Sequence, residues 1–216
     1  IADGMGGLSY GAQVSRYITE QFKRWWYEDF TNMIQEGMEN EDDIRELMEQ
    51  EIWDINQVIV HFNHQYQCKS GSTLSLLLLY KGMYYIESLG DSRIYLLRNQ
   101  HMEQLTKDQS LAALMMKHSC EAIDEKQYVR NKNKLTMCIG MFSIPQSDYN
   151  TGNVLNGDKF LLCSDGLYNQ LEKREMEAVL EENGRTADEK VKLLRQMIKP
   201  GEAWDNVSAI VTEIRE

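Results

Sequence analysis

The chain has 216 residues, with 42% hydrophobic and 26% charged side chains, and its 34 acids against 23 bases give a net charge of −11. That length suits one domain spanning 1–216 with a real core. A surface so negative repels phosphate backbones and anionic lipid, which speaks against nucleic-acid or membrane-surface binding. Cys68, Cys120, Cys138 and Cys163 form no C-x-x-C pair, against a zinc knuckle or disulfide scaffold and consistent with a reducing compartment. The longest apolar run, 76–80, is far too short to cross a bilayer.

In chain order, Val14, Tyr17, Ile18, Phe22 and Trp25 recur at three- and four-residue steps and predict a helix. Ile44, Leu47, Met48, Ile52, Ile55, Ile59 and Phe62 predict a second, with Asp42, Asp43 and Glu46 near its N-terminal end, where the helix dipole favours acids. Residues 72–80, 83–89 and 93–98 read as strands, divided by the turn signals Lys81-Gly82 and Gly90-Asp91-Ser92. Asn99-Gln100 reads as a tight turn into 101–105, and 106–140 as mostly helical or irregular. A buried strand is expected at 159–164, helices at 173–181 and 186–198, and a last strand at 207–214. Helices, then a strand meander, then helices and a strand do not alternate as βαβ units, so the class is α+β, a sheet covered by helices.

Four aspartates share a setting at strand ends. Asp3 precedes Gly4-Met5-Gly6-Gly7, Asp91 lies in Gly90-Asp91-Ser92-Arg93, Asp165 closes 160–164 before Gly166, and Asp205 precedes Asn206. Carboxylates at strand ends can converge on one sheet edge, and neighbouring glycines let backbone carbonyls approach a ligand. Such a set suits hard cations, Mg²⁺ or Mn²⁺; two of them about 3.5–4 Å apart can lower the pKa of a bridging water and clamp a phosphoryl group. Asp-Gly is equally a common turn dipeptide, and spacing alone leaves both readings open.

At these residues the sequence resembles the metal-dependent serine/threonine protein phosphatase family (PPM, type 2C) in its bacterial form. The resemblance is carried by Ala2-Asp3-Gly4-Met5-Gly6-Gly7 with Gly11, Gly71-Ser72-Thr73, Leu89-Gly90-Asp91-Ser92-Arg93, Leu105-Thr106-Lys107-Asp108-Gln109-Ser110, Leu161-Leu162-Cys163-Ser164-Asp165-Gly166-Leu167 and Asp205-Asn206-Val207-Ser208, in order along nearly the whole chain. Leu135-Thr136 with Gly140 is a fainter match. The resemblance implies an antiparallel β-sandwich flanked by α-helices, a four-layer αββα arrangement, with a two-metal centre at one end. It implies that Asp3 bridges two Mn²⁺ or Mg²⁺ ions, that Asp165 and Asp205 complete the first, and that the Gly4 carbonyl binds the second. Asp91 would help hold a weaker third ion. A water bridging the ions would attack phosphoserine or phosphothreonine in line, without a phosphoenzyme, making Asp3, Asp165 and Asp205 the catalytic set. Residues 106–140 correspond to a flap beside the site. Phosphoprotein substrates of a serine/threonine kinase, a monomer and a cytoplasmic location follow from the same resemblance and the free cysteines.

The chain also departs from the family. An arginine that grips phosphate and an acid that supports the second metal are expected before Ile1, so the natural protein is expected to begin earlier, with the first strands of the sandwich. Leu8 stands where many bacterial relatives have His, and Asn169 where a second Asp often holds the third ion. Met137-Cys138-Ile139 replaces a more usual Arg-Ala-Leu. His61 and His64 read as an exposed helical face rather than a metal pair, and Trp25-Trp26 as one core and one half-exposed ring. Met115-Met116 suits either a flexible binding flap or helix packing. Cys163, in an apolar strand, reads as a buried thiol and not a nucleophile. These departures leave a second reading beside the enzyme: a pseudophosphatase that binds phosphoproteins without turnover. A third is a structural cation-binding domain.

Overall fold

The computed structural model describes residues 1–5, 10–118, 124–198 and 205–215. Leu8, Cys120 and the Gly6-Gly7 pair of the first motif lie outside them.

Helices come first: α1 (Gly11–Trp25), a π-helical turn (Trp26–Phe30), α2 (Thr31–Gln35) and the long α3 (Glu41–Tyr66). A capping box starts α3, where the Asn40 side chain accepts from the Asp43 N–H and the Asp43 carboxylate reaches back to the Asn40 N–H. Strands β1 (Leu74–Tyr80), β2 (Met83–Leu89), β3 (Arg93–Arg98) and β4 (His101–Gln104) follow as a meander. Next come α4 (Leu111–His118), α5 (Glu125–Asn131), β5 (Asp148–Asn153), β6 (Lys159–Cys163) and α6 (Asp165–Tyr168). The chain then forms α7 (Lys173–Glu181), α8 (Ala187–Met197) and β7 (Ala209–Glu213).

The strands form two antiparallel sheets, ordered β1-β2-β5 and β4-β3-β6-β7. Residues 1–5 extend antiparallel beside the start of β1, through Ser75 N–H to the Ile1 carbonyl at 2.8 Å and Thr73 N–H to the Asp3 carbonyl at 2.9 Å.

Side chains alternate between sheet faces, and that alternation builds the layers. Ile94 and Leu96 of β3 meet Phe160 and Leu162 of β6 and Tyr84 and Ile86 of β2 between the sheets. On the outer face of the four-stranded sheet, Tyr95, Leu97, Leu161 and Cys163 pack with Leu180 of α7 and Leu194 of α8. On the outer face of the three-stranded sheet, Leu74 and Leu89 take Val14 and Ile18 of α1 with Ile52, Ile55 and Ile59 of α3. Leu78 and Tyr85 take Trp25, Phe30 and Met48. The result is the αββα order, helices outside and two sheets within.

Several expectations are met in place: Trp25 is buried while Trp26 is 42% exposed, and His61 and His64 lie exposed on α3. Four elements were not foreseen. Residues 26–35 continue as a π turn and a short helix, β5 adds a strand to the free edge of β2, and the short helix α6 follows β6 directly.

Candidate metal centre

Four chain segments bring the acids of the site together. Asp3 is placed by pairing: its N–H donates to Thr73 Oγ1 at 3.0 Å, and its carbonyl accepts from the Thr73 N–H. Gly4 next to it packs so tightly that a Cβ there would lie 2.1 Å from the Gly11 carbonyl oxygen. No side chain fits, and the Gly4 backbone stays open toward the cavity.

Asp91 sits in the β2–β3 turn, pinned from two sides. Thr73 Oγ1 and Ser92 Oγ share a hydrogen bond of 2.8 Å, and Ser75 Oγ donates to the Ser92 carbonyl at 2.7 Å. From the other side, Gln109 donates its N–H to the Gly90 carbonyl at 2.8 Å and accepts the Gly90 N–H on Oε1 at 2.9 Å. Thr73 thus holds both the Asp3 segment and the Asp91 turn.

Asp165 opens α6 after β6, and Asp205 lies just before β7. The two ends are tied by Ser164 and Ser208: each N–H donates to the other residue, to the Ser208 carbonyl at 3.1 Å and to Ser164 Oγ at 3.0 Å.

Asp3, Gly4, Asp91, Asp165 and Asp205 all line one cavity of about 360 Å³, closed by Thr73, Asn133, Leu135, Cys138, Met141 and Phe142. The 106–140 segment forms part of its wall, through Asn133, Leu135 and Cys138. Among the described residues, no three acid, His or Cys side chains are drawn into a closed ligand set.

The electrostatics of the cavity are those of crowded acids. Burial, then the Asp165 and Asp205 charges, raises Asp3 to about 6. Burial, then Asp165, Asp108 and Asp3, raises Asp91 to about 7, against the pull of Arg93. Asp165 is raised by burial and Asp205, opposed by the Gly166 N–H, Lys132 and Arg93. Anions held at a cost, offered with a carbonyl oxygen, are a donor set that fits hard divalent cations.

Arg93 pulls against the rise of Asp91 and Asp165, and all three of its guanidinium nitrogens are engaged. Its Nε and Nη2 bind Asp108 at 2.9 and 2.6 Å, Nη1 donates to Tyr95 Oη at 3.0 Å, and its plane lies 3.6 Å from the centre of the Tyr168 ring. Cys163 is buried beneath, its thiol pushed up to about 12 by burial, as befits a packing residue. Sequence reasoning missed the hydroxyls of Thr73, Ser75 and Ser92 and the cation Lys132; their roles depend on contacts between distant segments.

A family model described as Protein phosphatase 2C matches residues 1–199. The serine/threonine phosphatase stp of Listeria innocua is 28% identical over 215 residues, 99% of this chain and 82% of its own. The protein phosphatase PhpP of Streptococcus pneumoniae is 28% identical over 216 residues, 100% of this chain and 85% of its own. Among solved structures, a serine/threonine phosphatase of S. agalactiae superposes with a TM-score of 0.85 at 27% identity, over 98% of this chain and 85% of that one.

Proposed function

The chain belongs to the protein phosphatase 2C family, and from that premise we propose its reaction: metal-dependent hydrolysis of phosphoserine and phosphothreonine in proteins. The observation that carries this reading is the convergence of Asp3, Asp91, Asp165 and Asp205, from four separate segments, on one cavity with the Gly4 backbone beside them. Asp3, Asp165 and Asp205 would hold one Mn²⁺ or Mg²⁺ and Asp3 and the Gly4 carbonyl a second, with Asp91 beside the outer place of a weaker third. Divalent cations bound there supply the Lewis acidity that activates water and offsets phosphoryl charge.

The chain's own residues supply position. The Thr73–Ser92 hydroxyl pair keeps Asp3 and Asp91 in register, and the Ser164–Ser208 bonds do the same for Asp165 and Asp205. Such fixed placement lets the site stabilise developing charge without reorganising at the moment of reaction. The wall formed by 106–140 is where a phosphoprotein would meet the chain, and 1–216 acts as one phosphatase domain. Among the described residues no helix is long and apolar enough to cross a membrane; a monomer in the cytoplasm, acting on the products of a serine/threonine kinase, completes the proposal.

Keeping four costly carboxylates in one cavity favours turnover over binding alone. Incubation of the full chain with phosphothreonine and phosphotyrosine peptides tests this. Release of phosphate from the phosphothreonine peptide, at a rate well above the phosphotyrosine one, is expected. A peptide bound but left intact would contradict the enzyme and favour a phosphoprotein-binding module.

A further inference from the structure

An anionic substrate entering a cavity of four acids needs positive charge from the protein as well as from any bound ion. Arg93 cannot turn to it, since both arms of its guanidinium grip Asp108 and Tyr95 and its face is covered by Tyr168. Lys132 can. Its Nζ donates to Asn169 Oδ1 at 2.7 Å, and Asn169 Nδ2 donates on to Asp165 Oδ2 at 3.3 Å. This chain joins the 106–140 segment to a carboxylate of the site. With its oxygen engaged by the ammonium, the Asn169 amide must present its NH₂ to the acid.

The lysine's backbone is registered to the site as well. Lys132 caps the end of α5, with its N–H on the Tyr128 carbonyl at 2.9 Å. The following residues are anchored by Leu111 N–H to the Lys134 carbonyl at 2.7 Å and Thr136 N–H to the Gln109 carbonyl at 2.8 Å. Gln109 is the residue that brackets Gly90 beside Asp91. The ammonium is therefore carried on a segment tied directly to the Asp91 turn.

We propose that Lys132 is a built-in cation of this site: its ammonium takes the outer place a third divalent ion would fill and binds a phosphoryl oxygen of the substrate. Asn169 supplies a neutral carbonyl oxygen where a divalent ion would want a carboxylate, and that oxygen already accepts from Lys132. An ammonium has three donors; one held by a neutral amide leaves two for phosphate oxygens, and releasing that amide costs less than breaking a bidentate ion pair. The proposal rests on the phosphatase reading.

The test combines Mn²⁺ titration by calorimetry, without substrate, with steady-state kinetics on a phosphothreonine peptide. Wild type, Lys132→Met, Lys132→Arg and the double variant Lys132→Met/Asn169→Asp are compared. Wild type and Lys132→Met are expected to bind two Mn²⁺ and the double variant three. KM should rise roughly tenfold in Lys132→Met and stay within a few-fold in Lys132→Arg, a pattern that mere loss of packing would not give. Three ions in wild type, only two in the double variant, or an unchanged KM in Lys132→Met would overturn the proposal. A wild type that binds no Mn²⁺ would instead overturn the phosphatase reading on which it stands.

Discussion

Glu87 lies on β2 with its side chain on the α3 side of the sheet, fully buried, and neither carboxylate oxygen has a hydrogen-bond partner. Burial raises it from the ordinary 4.5 to about 7; nearby Ser147 opposes the shift without reaching hydrogen-bond geometry. The folded chain therefore keeps a proton that the unfolded chain has lost, so stability is full below the unfolded value and falls as pH rises toward 7. The loss by pH 8 is on the order of 3 kcal/mol. Glu87→Gln removes the titration. Its melting temperature should exceed wild type clearly at pH 8, with the gap narrowing toward pH 5. An equal gap at both pH values would show that Glu87 is not the titrating group. The same reasoning explains why Thr73 matters more than its size suggests: one hydroxyl serves both Asp3 and Ser92, and loss of a buried partner costs about 1–3 kcal/mol.

The β6–α6 turn and the segment before β7 act as one unit, because Gly166 sits against the Asn206 carbonyl. A Cβ at Gly166 would lie 2.3 Å from that oxygen, a rigid backbone atom that cannot swing aside. Gly166→Ala should push residues 205–208 away, costing about 1–3 kcal/mol of stability and weakening Mn²⁺ binding; thermal melting and a metal titration read both. An unchanged melting temperature would mean the turn has slack the structure does not show. Elements of this kind differ in how far the sequence reveals them. β1, β3 and β6 carry apolar alternation or runs, and α3 carries a clear helical stripe, so their places were legible. β5, with the sequence Asp-Tyr-Asn-Thr-Gly-Asn, has no such pattern; it is an edge strand held by pairing with β2 and by the Asn150 side chain on the Leu105 carbonyl. The four aspartates were legible as a set only through the ordered motifs of a family. The Lys132–Asn169–Asp165 chain was not, since it joins residues brought together only by folding.

At the scale of the whole molecule, the four layers bring segments from both sheets to one cavity: Asp3 from the extended segment beside β1, Asp91 from the β2–β3 turn that links the two sheets, and Asp165 and Asp205 from beside β6 and β7. A chain of net charge −11 presents that acidic cavity to an anionic substrate, a combination that works only if cations reverse the local field. Metal is thus the central requirement, and one measurement addresses it: phosphate release from a phosphothreonine peptide as Mn²⁺ is added back after chelation, beside an Asp165→Ala control. Turnover that is absent in chelator, returns with Mn²⁺ and falls at least a hundredfold in Asp165→Ala is the predicted result. Undiminished turnover in chelator, or in Asp165→Ala, would contradict it.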